Sequence, residues 1–561
     1  MDSYIKSAID AIYGEDDDCL VLGLTGRTGS GCSTVAKLLQ LNKEDLGNSL
    51  YYGPAPDSND KRKQRIVHKH FEKTWQPFQL IQVRSVITLM LLESGIDKTE
   101  ELLNSLKPSL DSSTISAVCK KLRELTREHG KVKKEQNSGK TVDFFSSVLP
   151  GKCNDIKNLL GEGSFVKFYQ MIGGNIRMSG NAWEKALVPG RFFTLIDRIH
   201  SIIGMLRAAN KLQGKPTLIV VDAIRNPFEA IYLQDRYPSF YMVAVSCPEP
   251  ERHARLRSLK FSADQIESID DKEYRSRNVN ENSAYSIQDI QACLQRADIY
   301  ISNPDEVNFV TQYKNLADQL IRLVSLMKRP GIVTPTPVER CMQIAYTAKL
   351  NSGCISRQVG AVVVDVNFSV QAVGWNDAPR GQVPCNLRNR SDLLHGADEM
   401  AYSNFEKNDI GYLGAFRKSS QRYIRIADTG RNVSFCFKSE YNEYTSPNNK
   451  GQKNQVHTRS LHAEENAFLQ VSKYGGRGVE GGSLFTTASP CELCAKKAYQ
   501  LGMKNIYYVD PYPGIAITHV LEGGENNPSM ILFSGAIGRA FHKLYSPIMP
   551  YKDELNALAQ V

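Results

Sequence analysis

The segment that decides the fold of the second half is SLFTTASPCELCAKKAYQLGMKNIYYVD, residues 483–510. An apolar run comes before Pro490, a helical pattern follows it, and a second apolar run closes the segment. A strand, a helix and a strand in this order are typical of a βαβ unit with parallel strands. Because Cys491 and Cys494 directly follow the first strand, we expect both thiols in the first helical turn, where the helix dipole favours thiolate.

A second motif, LHAEENAFLQ at 461–470, begins another predicted helix and contains His462 and Glu464. One imidazole and two thiolates supply three zinc ligands and leave a fourth tetrahedral position for water, which is typical of a catalytic zinc site. H-x-E followed by P-C-x-x-C is the signature of zinc deaminases. We therefore predict that His462, Cys491 and Cys494 bind Zn²⁺ and that Glu464 is a general acid and base. The alternatives are a structural zinc site completed by a fourth Cys or His, and a chance pair of cysteines on a core helix.

The second domain is predicted over 335–561, because the proline-rich segment KRPGIVTPTPVE at 328–339 interrupts the preceding pattern. It begins with the helical pattern CMQIAYTAKL and the paired strand patterns QVGAVVVDV and SVQAVGW. A long polar stretch, about 384–456, then separates these strands from the HAE motif. We interpret this stretch as an insertion, since loops of this length are uncommon unless they are functional.

Together with LNSGCISRQVGAVVVDVNFSVQAVGWNDAPRG, these motifs resemble the deoxycytidylate deaminases of the cytidine deaminase superfamily over most of 335–545 except the insertion. The resemblance implies a cytidine-deaminase-like α/β/α domain that acts on deoxycytidine nucleotides. It also implies that Asn376 contacts the sugar hydroxyl and that Arg357 helps bind phosphate. Some relatives carry a second, structural zinc, and Cys354 and Cys385 with His457 or His395 are candidates for it, with free thiols as the alternative.

Tyr508 is a further candidate for contacting the substrate. It lies in the strand pattern KNIYYV, close to the predicted zinc site in sequence. An aromatic ring there is a candidate for stacking on the base, and a core or rim aromatic is the alternative.

The first half, 1–328, alternates apolar runs with helical patterns, which predicts a parallel, doubly wound α/β sheet. The predicted strands are CLVLGLTG (19–26), PTLIVVDAI (216–224), YMVAVSC (241–247) and ADIYIS (297–302). A helix is predicted over 77–95, and the basic stretch 127–140 is interpreted as a surface connection.

The first strand runs into TGRTGSGCSTVAKLL, which matches the P-loop pattern G-x-x-x-x-G-K-[ST] except that Cys32 replaces lysine. Backbone amides at a helix start bind phosphate without that lysine, but its charge is missing for phosphoryl transfer. The predicted nucleotide-binding residues are Gly26, Arg27, Thr28, Gly29, Ser30, Gly31, Cys32, Ser33 and Thr34, with Asp222 as a candidate for holding Mg²⁺.

The segments DAIRNPFE, VSCPEPERHARLR and ADIYISNP make this half similar to nucleotide and deoxynucleoside monophosphate kinases. Two interpretations remain: a slow kinase in which Arg27 replaces the lysine, or a regulatory site for ATP, GTP or another nucleotide. We favour regulation, because the deaminase motif is complete and the kinase motif is not.

The order of a degenerate P-loop domain and a deaminase domain resembles the bacterial antiphage dCTP deaminases. That resemblance implies conversion of dCTP and dCMP to dUTP and dUMP, loss of dCTP to a replicating phage, and control through the P-loop domain. It also implies a homo-oligomer and, in some relatives, an inhibitory small RNA.

Composition limits the other classes of function. The net charge of +9 comes from 69 basic and 60 acidic residues and is spread thinly, which gives little support to a deaminase that edits tRNA or single-stranded DNA. Apolar runs are far shorter than the roughly 20 residues that span a bilayer, and no signal-peptide pattern is seen, so we expect a cytoplasmic protein. Twelve cysteines are too sparse for a disulfide scaffold. A nucleotide-sensing interaction protein with structural zinc is the remaining alternative.

Overall fold

The computed structural model describes residues 19–47, 56–106, 110–135, 138–274, 285, 288–305, 313–445, 458–475, 478–511 and 516–559. The chain divides into two compact units, Met1–Thr334 with Ser534–Val561, and Pro335–Phe533. The division at Pro335 agrees with the predicted boundary. The C-terminal segment does not, because the sequence placed all of 335–561 in one domain.

Five parallel strands form the sheet of the first unit, and a sixth, antiparallel strand from the C-terminal segment completes it. The strands are β1 (Cys19–Thr25), β2 (Gln79–Ile81), β3 (Thr217–Val221), β4 (Phe240–Ser246), β5 (Ile299–Ser302) and, from the C-terminal segment, β11 (Gly535–Ala536). Their order is β11-β5-β4-β1-β3-β2. Strand β3, TLIVV, is buried along its whole length, as expected of a parallel strand covered on both faces.

Helices surround this sheet. They are α1 (Cys32–Leu39), α2 (Lys43–Gly47), α3 (Asn59–Thr74), α4 (Val83–Glu93), α5 (Thr99–Asn104), α6 (Ser112–Glu135), α7 (Ser138–Asp143), α8 (Leu149–Ser179), α9 (Thr194–Leu212), α10 (Pro227–Arg236), α11 (Glu249–Ser258), α12 (Ala263–Tyr274), α13 (Ile290–Arg296) and α14 (Lys314–Lys328). The four predicted strands are confirmed. The predicted helix over 77–95 is instead the short strand β2 followed by α4, and α6 continues to Glu135 through the supposed surface connection.

The second unit has a five-stranded sheet in the order β10-β9-β8-β6-β7. Strand β6 is antiparallel to both of its neighbours, β7 and β8, whereas β8, β9 and β10 run parallel. The elements outside the insertion are α15 (Pro337–Ala348), β6 (Gly360–Val364), β7 (Val370–Trp375), α21 (Ala463–Tyr474), β8 (Ser483–Ala488), α22 (Glu492–Gln500), β9 (Asn505–Asp510) and β10 (Ser529–Leu532). The predicted order of helix, paired strands, helix, strand, helix and strand is therefore confirmed.

The insertion is largely helical, with α16 (Arg390–His395), α17 (Asn404–Asn408), α18 (Ile410–Ser420), α19 (Ile424–Ala427) and α20 (Phe437–Thr445). Its core combines aromatic rings with two buried ion pairs, Arg388 with Glu406 and Arg390 with Glu440. Since removing one partner of a buried pair leaves an uncompensated charge, these pairs fix the packing of the helices.

The C-terminal segment adds α23 (Gly538–Tyr545) and α24 (Tyr551–Ala559) to the first unit. Ala540 and Leu544 join the core on one face of its sheet, and Arg329 forms an ion pair with Glu554. Within the described residues, no helix has both the length and the apolar character needed to cross a bilayer.

Candidate active site and glycine-rich loop

Two helix starts in the second unit bring the predicted zinc ligands together. His462 is the residue that caps the N-terminus of α21, Cys491 is the residue that caps α22, and Cys494 lies in the first turn of α22. The Nδ1 atom of His462 lies 3.2 Å from the Cys491 Sγ and 3.5 Å from the Cys494 Sγ. The three donor atoms lie within 4.8 Å of one another.

These distances fit a zinc ion. Tetrahedral bonds of about 2.0 Å to nitrogen and about 2.3 Å to sulfur place a nitrogen and a sulfur ligand about 3.5 Å apart. Hydrogen bonding from Cys494 lowers the pKa of Cys491, and the same contact raises the pKa of Cys494. The hydrogen bond with Cys491 raises the pKa of His462. The arrangement is therefore a compact set of one imidazole and two thiols that share protons.

Glu464 lies beside these donors in the first turn of α21 and is only 4% exposed. The hydroxyl of Thr486, on β8, lies 3.1 Å from its Oε1 and donates to it. Burial raises the pKa of Glu464, which favours the protonated carboxyl. A carboxyl that is held in place and readily protonated is suited to transferring protons.

A cavity opens directly onto His462, Glu464 and Cys491. Its wall is formed by Cys354, Ser356, Arg357, Val359, Asn376, Lys438, Thr458, Ser460, Leu461, Ala463, Ala488 and Ser489 as well. Backbone pairing holds the segment before His462 in place, since the Leu461 N–H donates to the carbonyl of Asp377 over 2.8 Å.

Asn376 lines this cavity, and its amide holds the neighbouring loop. Its Oδ1 accepts hydrogen bonds from Ser352 Oγ at 2.9 Å and from the Val359 N–H at 2.7 Å. Its Nδ2 donates to the carbonyl of Arg357 at 2.7 Å. Since an amide nitrogen carries two hydrogens, one N–H of Asn376 has no hydrogen-bond partner among the described residues.

Of the other two residues predicted to contact the substrate, one lines the cavity but is paired within the chain, and the other does not line the cavity. Arg357 lines the cavity, but its guanidinium forms an ion pair with Asp510, which is 1% exposed. Tyr508 is a buried residue of β9 and is not among the described residues that line the cavity. The sequence did not indicate Thr486, Asp510 or Lys438, because no motif marks them.

The predicted second zinc site is not assembled within the described residues. Cys354 and Cys385 do not belong to a described group of three donor atoms within 4.8 Å, and His457 lies outside the described residues. Burial raises the pKa of Cys385, and the neighbouring thiols of Cys436 and Cys354 raise it further. Cys436, in the insertion, is thus a third thiol in this region that the sequence analysis did not single out.

In the first unit, the glycine-rich loop joins the C-terminal end of β1 to the N-terminus of α1, beside the point where the strand order reverses. Gly31 caps α1 with φ at 106°, and a Cβ atom there would lie 2.0 Å from Asn303 Nδ2. Asn303 also donates to the carbonyl of Ser30 over 2.9 Å. The loop conformation therefore depends on glycine at this position.

Carboxylates of the chain itself already contact this loop. Glu273 accepts hydrogen bonds from the Thr28 N–H at 3.1 Å and from the Thr28 hydroxyl at 2.6 Å, and Arg225 lies 3.4 Å from it. Arg27, only 9% exposed, forms ion pairs with Glu249 and, at 2.7 Å, with Asp270. Arg27 therefore does not project into the loop as a free replacement for lysine.

Cys32 and Asp222 approach the same region. Burial raises the pKa of Cys32 to about 11, so its thiol is neutral near pH 7. Burial also raises the pKa of Asp222, whose Oδ1 accepts a hydrogen bond from the Val83 N–H at 2.9 Å. The remaining predicted positions, Gly26, Gly29, Ser33 and Thr34, lie in the turn and in the first turn of α1. Nucleotide binding here stays a prediction.

Comparison with known proteins shows what the second unit is similar to. Residues 335–510 match the family described as the cytidine and deoxycytidylate deaminase zinc-binding region. The deoxycytidylate deaminase of Enterobacteria phage T4 is 28% identical over 172 residues, which cover 30% of this chain and 76% of the phage protein. The deoxycytidylate deaminase of Schizosaccharomyces pombe is 24% identical over 218 residues, covering 36% and 51%.

Among solved structures, the dCMP deaminase from cyanophage S-TIM5, crystallised with dCMP and dUMP, matches at 22% identity with a TM-score of 0.21. The match covers 36% of this chain and 99% of that protein. The family match and the sequence relatives show that the chain contains a deoxycytidylate-deaminase-like domain. This similarity supports nucleotide deamination as the activity of that domain.

Proposed function

We propose that the second unit removes the amino group of deoxycytidine nucleotides by hydrolysis. It converts dCTP, dCMP or both to dUTP or dUMP and releases ammonia. The observation that carries the proposal is the placement of Glu464 beside three converging donor atoms at the end of a cavity. His462 Nδ1 and the sulfurs of Cys491 and Cys494 would hold Zn²⁺. When bound, zinc supplies the Lewis acidity that makes water a nucleophile near neutral pH.

The residues of the chain perform the proton transfers. Glu464 takes a proton from the attacking water as its oxygen bonds to C4 of cytosine, and delivers that proton to N3. Glu464 then moves the proton of the new C4 hydroxyl to the exocyclic nitrogen, the C4–N bond breaks as the C4 carbonyl forms, and ammonia leaves. The Thr486 hydroxyl keeps the carboxyl oriented through both transfers.

For the first unit we propose nucleotide binding at residues 26–34 that regulates the deaminase rather than transferring phosphate. The position of the loop at the strand-order reversal supports binding, because ligands of open α/β sheets occupy this crevice. The neutral Cys32 thiol and the paired Arg27 guanidinium argue against transfer, since neither supplies a free positive charge. ATP or GTP, with Mg²⁺ near Asp222, are the first ligands to test.

The biological setting rests on the resemblance to bacterial antiphage dCTP deaminases. We propose that the protein lowers dCTP in the cytoplasm during phage infection, as a homo-oligomer restrained by its first unit or by an inhibitory small RNA. Restraint is expected on chemical grounds, since an unregulated enzyme would consume the dCTP of its own cell.

The decisive experiment compares wild-type protein with Glu464→Ala, using Glu465→Ala as the matched control. Glu465 adjoins Glu464 in the same helical turn, but its carboxylate pairs with Lys497. Each protein is incubated with dCTP, dCMP, CTP, CMP, cytidine and a cytosine-containing oligonucleotide, with and without ATP, and products and bound zinc are measured by mass spectrometry.

We expect Glu464→Ala to keep zinc and lose deamination by about 10²–10⁴-fold, the usual contribution of a general acid or base. Glu465→Ala should retain both. Loss of zinc together with activity would contradict the role of Glu464, and conversion of the oligonucleotide alone would replace a nucleotide substrate with a polynucleotide.

A further inference from the structure

The insertion contributes one charged side chain to the wall of the catalytic cavity. Lys438 lies in the first turn of α20, far from the zinc motifs in sequence, yet it lines the same cavity as His462 and Glu464. Thr458 and Ser460, which follow the insertion, line this cavity as well. The insertion is therefore part of the substrate pocket and not only a decoration of the domain.

The charges around the cavity are unequal. Among the described residues that line it, the permanently cationic side chains are Arg357 and Lys438, and the acidic one is Glu464. Asp510 already compensates the charge of Arg357. Lys438 is half-buried and has neither an ion pair nor a hydrogen bond with any residue in the described parts of the chain. The cavity therefore holds one cation whose charge is uncompensated.

The position of Lys438 adds to this imbalance, because the N-terminal end of a helix already carries partial positive charge. A lysine in the first turn is unfavourable there unless an anion is close. Glu440, in the same turn, does not serve, since it is buried in an ion pair with Arg390 and accepts a hydrogen bond from Ser419 at 2.9 Å.

That same ion pair fixes the helix that carries Lys438. Arg390 belongs to α16 and Glu440 to α20, so their contact joins the two helices inside the core of the insertion. Rings of α20 pack beside it, with Phe437 and Tyr441 stacked at 5.6 Å. The backbone that carries Lys438 is thus already fixed, so ligand binding has to order only its side chain.

We infer that Lys438 binds the phosphate of the nucleotide and makes the pocket selective for nucleotides over nucleosides. The inference rests on the proposed function and deepens it by naming the residue that recognises the substrate's anionic group. Arg357, which the sequence analysis assigned to phosphate, would mainly hold Asp510 and shape the wall of the cavity.

The test compares wild-type, Lys438→Ala, Lys438→Arg and the control Lys418→Ala, which removes an exposed lysine from the same insertion. KM and kcat are measured for deoxycytidine, dCMP and dCTP. Binding of dCMP and deoxycytidine is measured by calorimetry with each zinc-loaded variant combined with Glu464→Gln, so that recognition is read without catalysis. Circular dichroism and zinc content establish that each variant is folded.

Lys438→Ala should raise KM and Kd for dCMP and dCTP about tenfold or more, the cost of one charge-assisted hydrogen bond, with kcat nearly unchanged. Values for deoxycytidine should stay within twofold, Lys438→Arg should recover part of the loss, and Lys418→Ala should resemble wild-type.

An equal loss for nucleoside and nucleotides, or no loss for either, would overturn the role of Lys438. Tight dCMP binding that depends on Lys438 but without any deamination by wild-type would overturn the proposed reaction alone. Absence of dCMP binding together with absence of dCTP turnover by wild-type would overturn both.

Discussion

Cys32 and Cys491 occupy the same local structure in the two units, since each thiol stands where a buried strand has ended and a helix begins. Their chemistry is opposite. Burial raises the pKa of Cys32 to about 11, whereas hydrogen bonds from Cys494 and His462 lower the pKa of Cys491. A thiol at a helix start is therefore not a metal site by itself, and the second thiol and the imidazole are what create one.

The charges around the two sites differ in the same way. At the glycine-rich loop, Glu249 and Asp270 form ion pairs with Arg27, and Glu273 accepts a hydrogen bond from Thr28. At the catalytic cavity, Lys438 is left without a partner among the described residues. The catalytic cavity therefore has an uncompensated positive charge, whereas Arg27 and Thr28 of the loop are already paired with carboxylates of the chain.

The largest effect is expected when one of the predicted zinc ligands is removed and the result is compared with a change at Cys32. Cys494→Ala should abolish stoichiometric zinc and reduce deamination at least about 100-fold, more than removal of a residue that only supports a ligand. Cys32→Ser should leave both zinc content and basal deamination unchanged. Zinc analysis and product formation check the pair, and retention of zinc by Cys494→Ala would refute the ligand set.

The next test concerns the shape of the glycine-rich loop. Gly31→Ala should lower the free energy of unfolding by about 1–3 kcal/mol and abolish ATP binding, because φ of 106° and the Asn303 contact leave no room for Cβ. Gly130→Ala is the control, since nothing lies within 4 Å of its added Cβ in α6. Denaturant titration and calorimetry measure both effects, and unchanged ATP binding in Gly31→Ala would separate the loop from nucleotide binding.

A smaller effect is expected when Glu273, the carboxylate that contacts Thr28 of the loop, is neutralised. Glu273→Gln should increase the affinity for ATP about tenfold, because ATP then no longer displaces a charged acceptor from Thr28. Glu267→Gln, on the exposed face of the same helix, should change nothing. Weaker ATP binding in Glu273→Gln would show that this carboxylate supports the ligand instead of competing with it.

The smallest effect is one of thiol reactivity. Because the pKa of Cys32 is raised, its thiolate should be scarce at pH 8 and should increase as the pH rises through about 11. In zinc-free protein, Cys491 should be alkylated faster than Cys32 at pH 7, and zinc should protect it. Iodoacetamide labelling followed by peptide mass spectrometry distinguishes them, and faster labelling of Cys32 would reverse the comparison.

The sequence was most informative where function is local. His462, Glu464, Cys491 and Cys494 lie in two short motifs at helix starts, and the two motifs together indicated that the donor atoms converge. The parallel strands β1, β3, β4, β5, β8 and β9 were predictable because buried parallel strands form continuous apolar runs, whereas β2, β10 and β11 were not predicted. Strand β2 was missed because its three residues merge into the apolar pattern of α4.

What the sequence did not show depends on distant segments. Glu273 and Lys438 reach their sites from parts of the chain that share no motif with them, and Asp510 takes the arginine that the resemblance assigned to phosphate. The insertion was read as polar because its core uses buried Arg–Glu pairs between aromatic rings, and a hydropathy pattern does not distinguish such a core from a loop.

The return of the C-terminal segment to the first sheet has a practical consequence for dissecting the protein. Strand β11 pairs with β5, and α23 buries Ala540 and Leu544 in the core of the first unit. A fragment cut at Pro335 and continued to Val561 would carry an edge strand and an amphipathic helix without their partners, a combination prone to aggregation. The residues 335–533 are the piece to express when the catalytic unit is wanted alone.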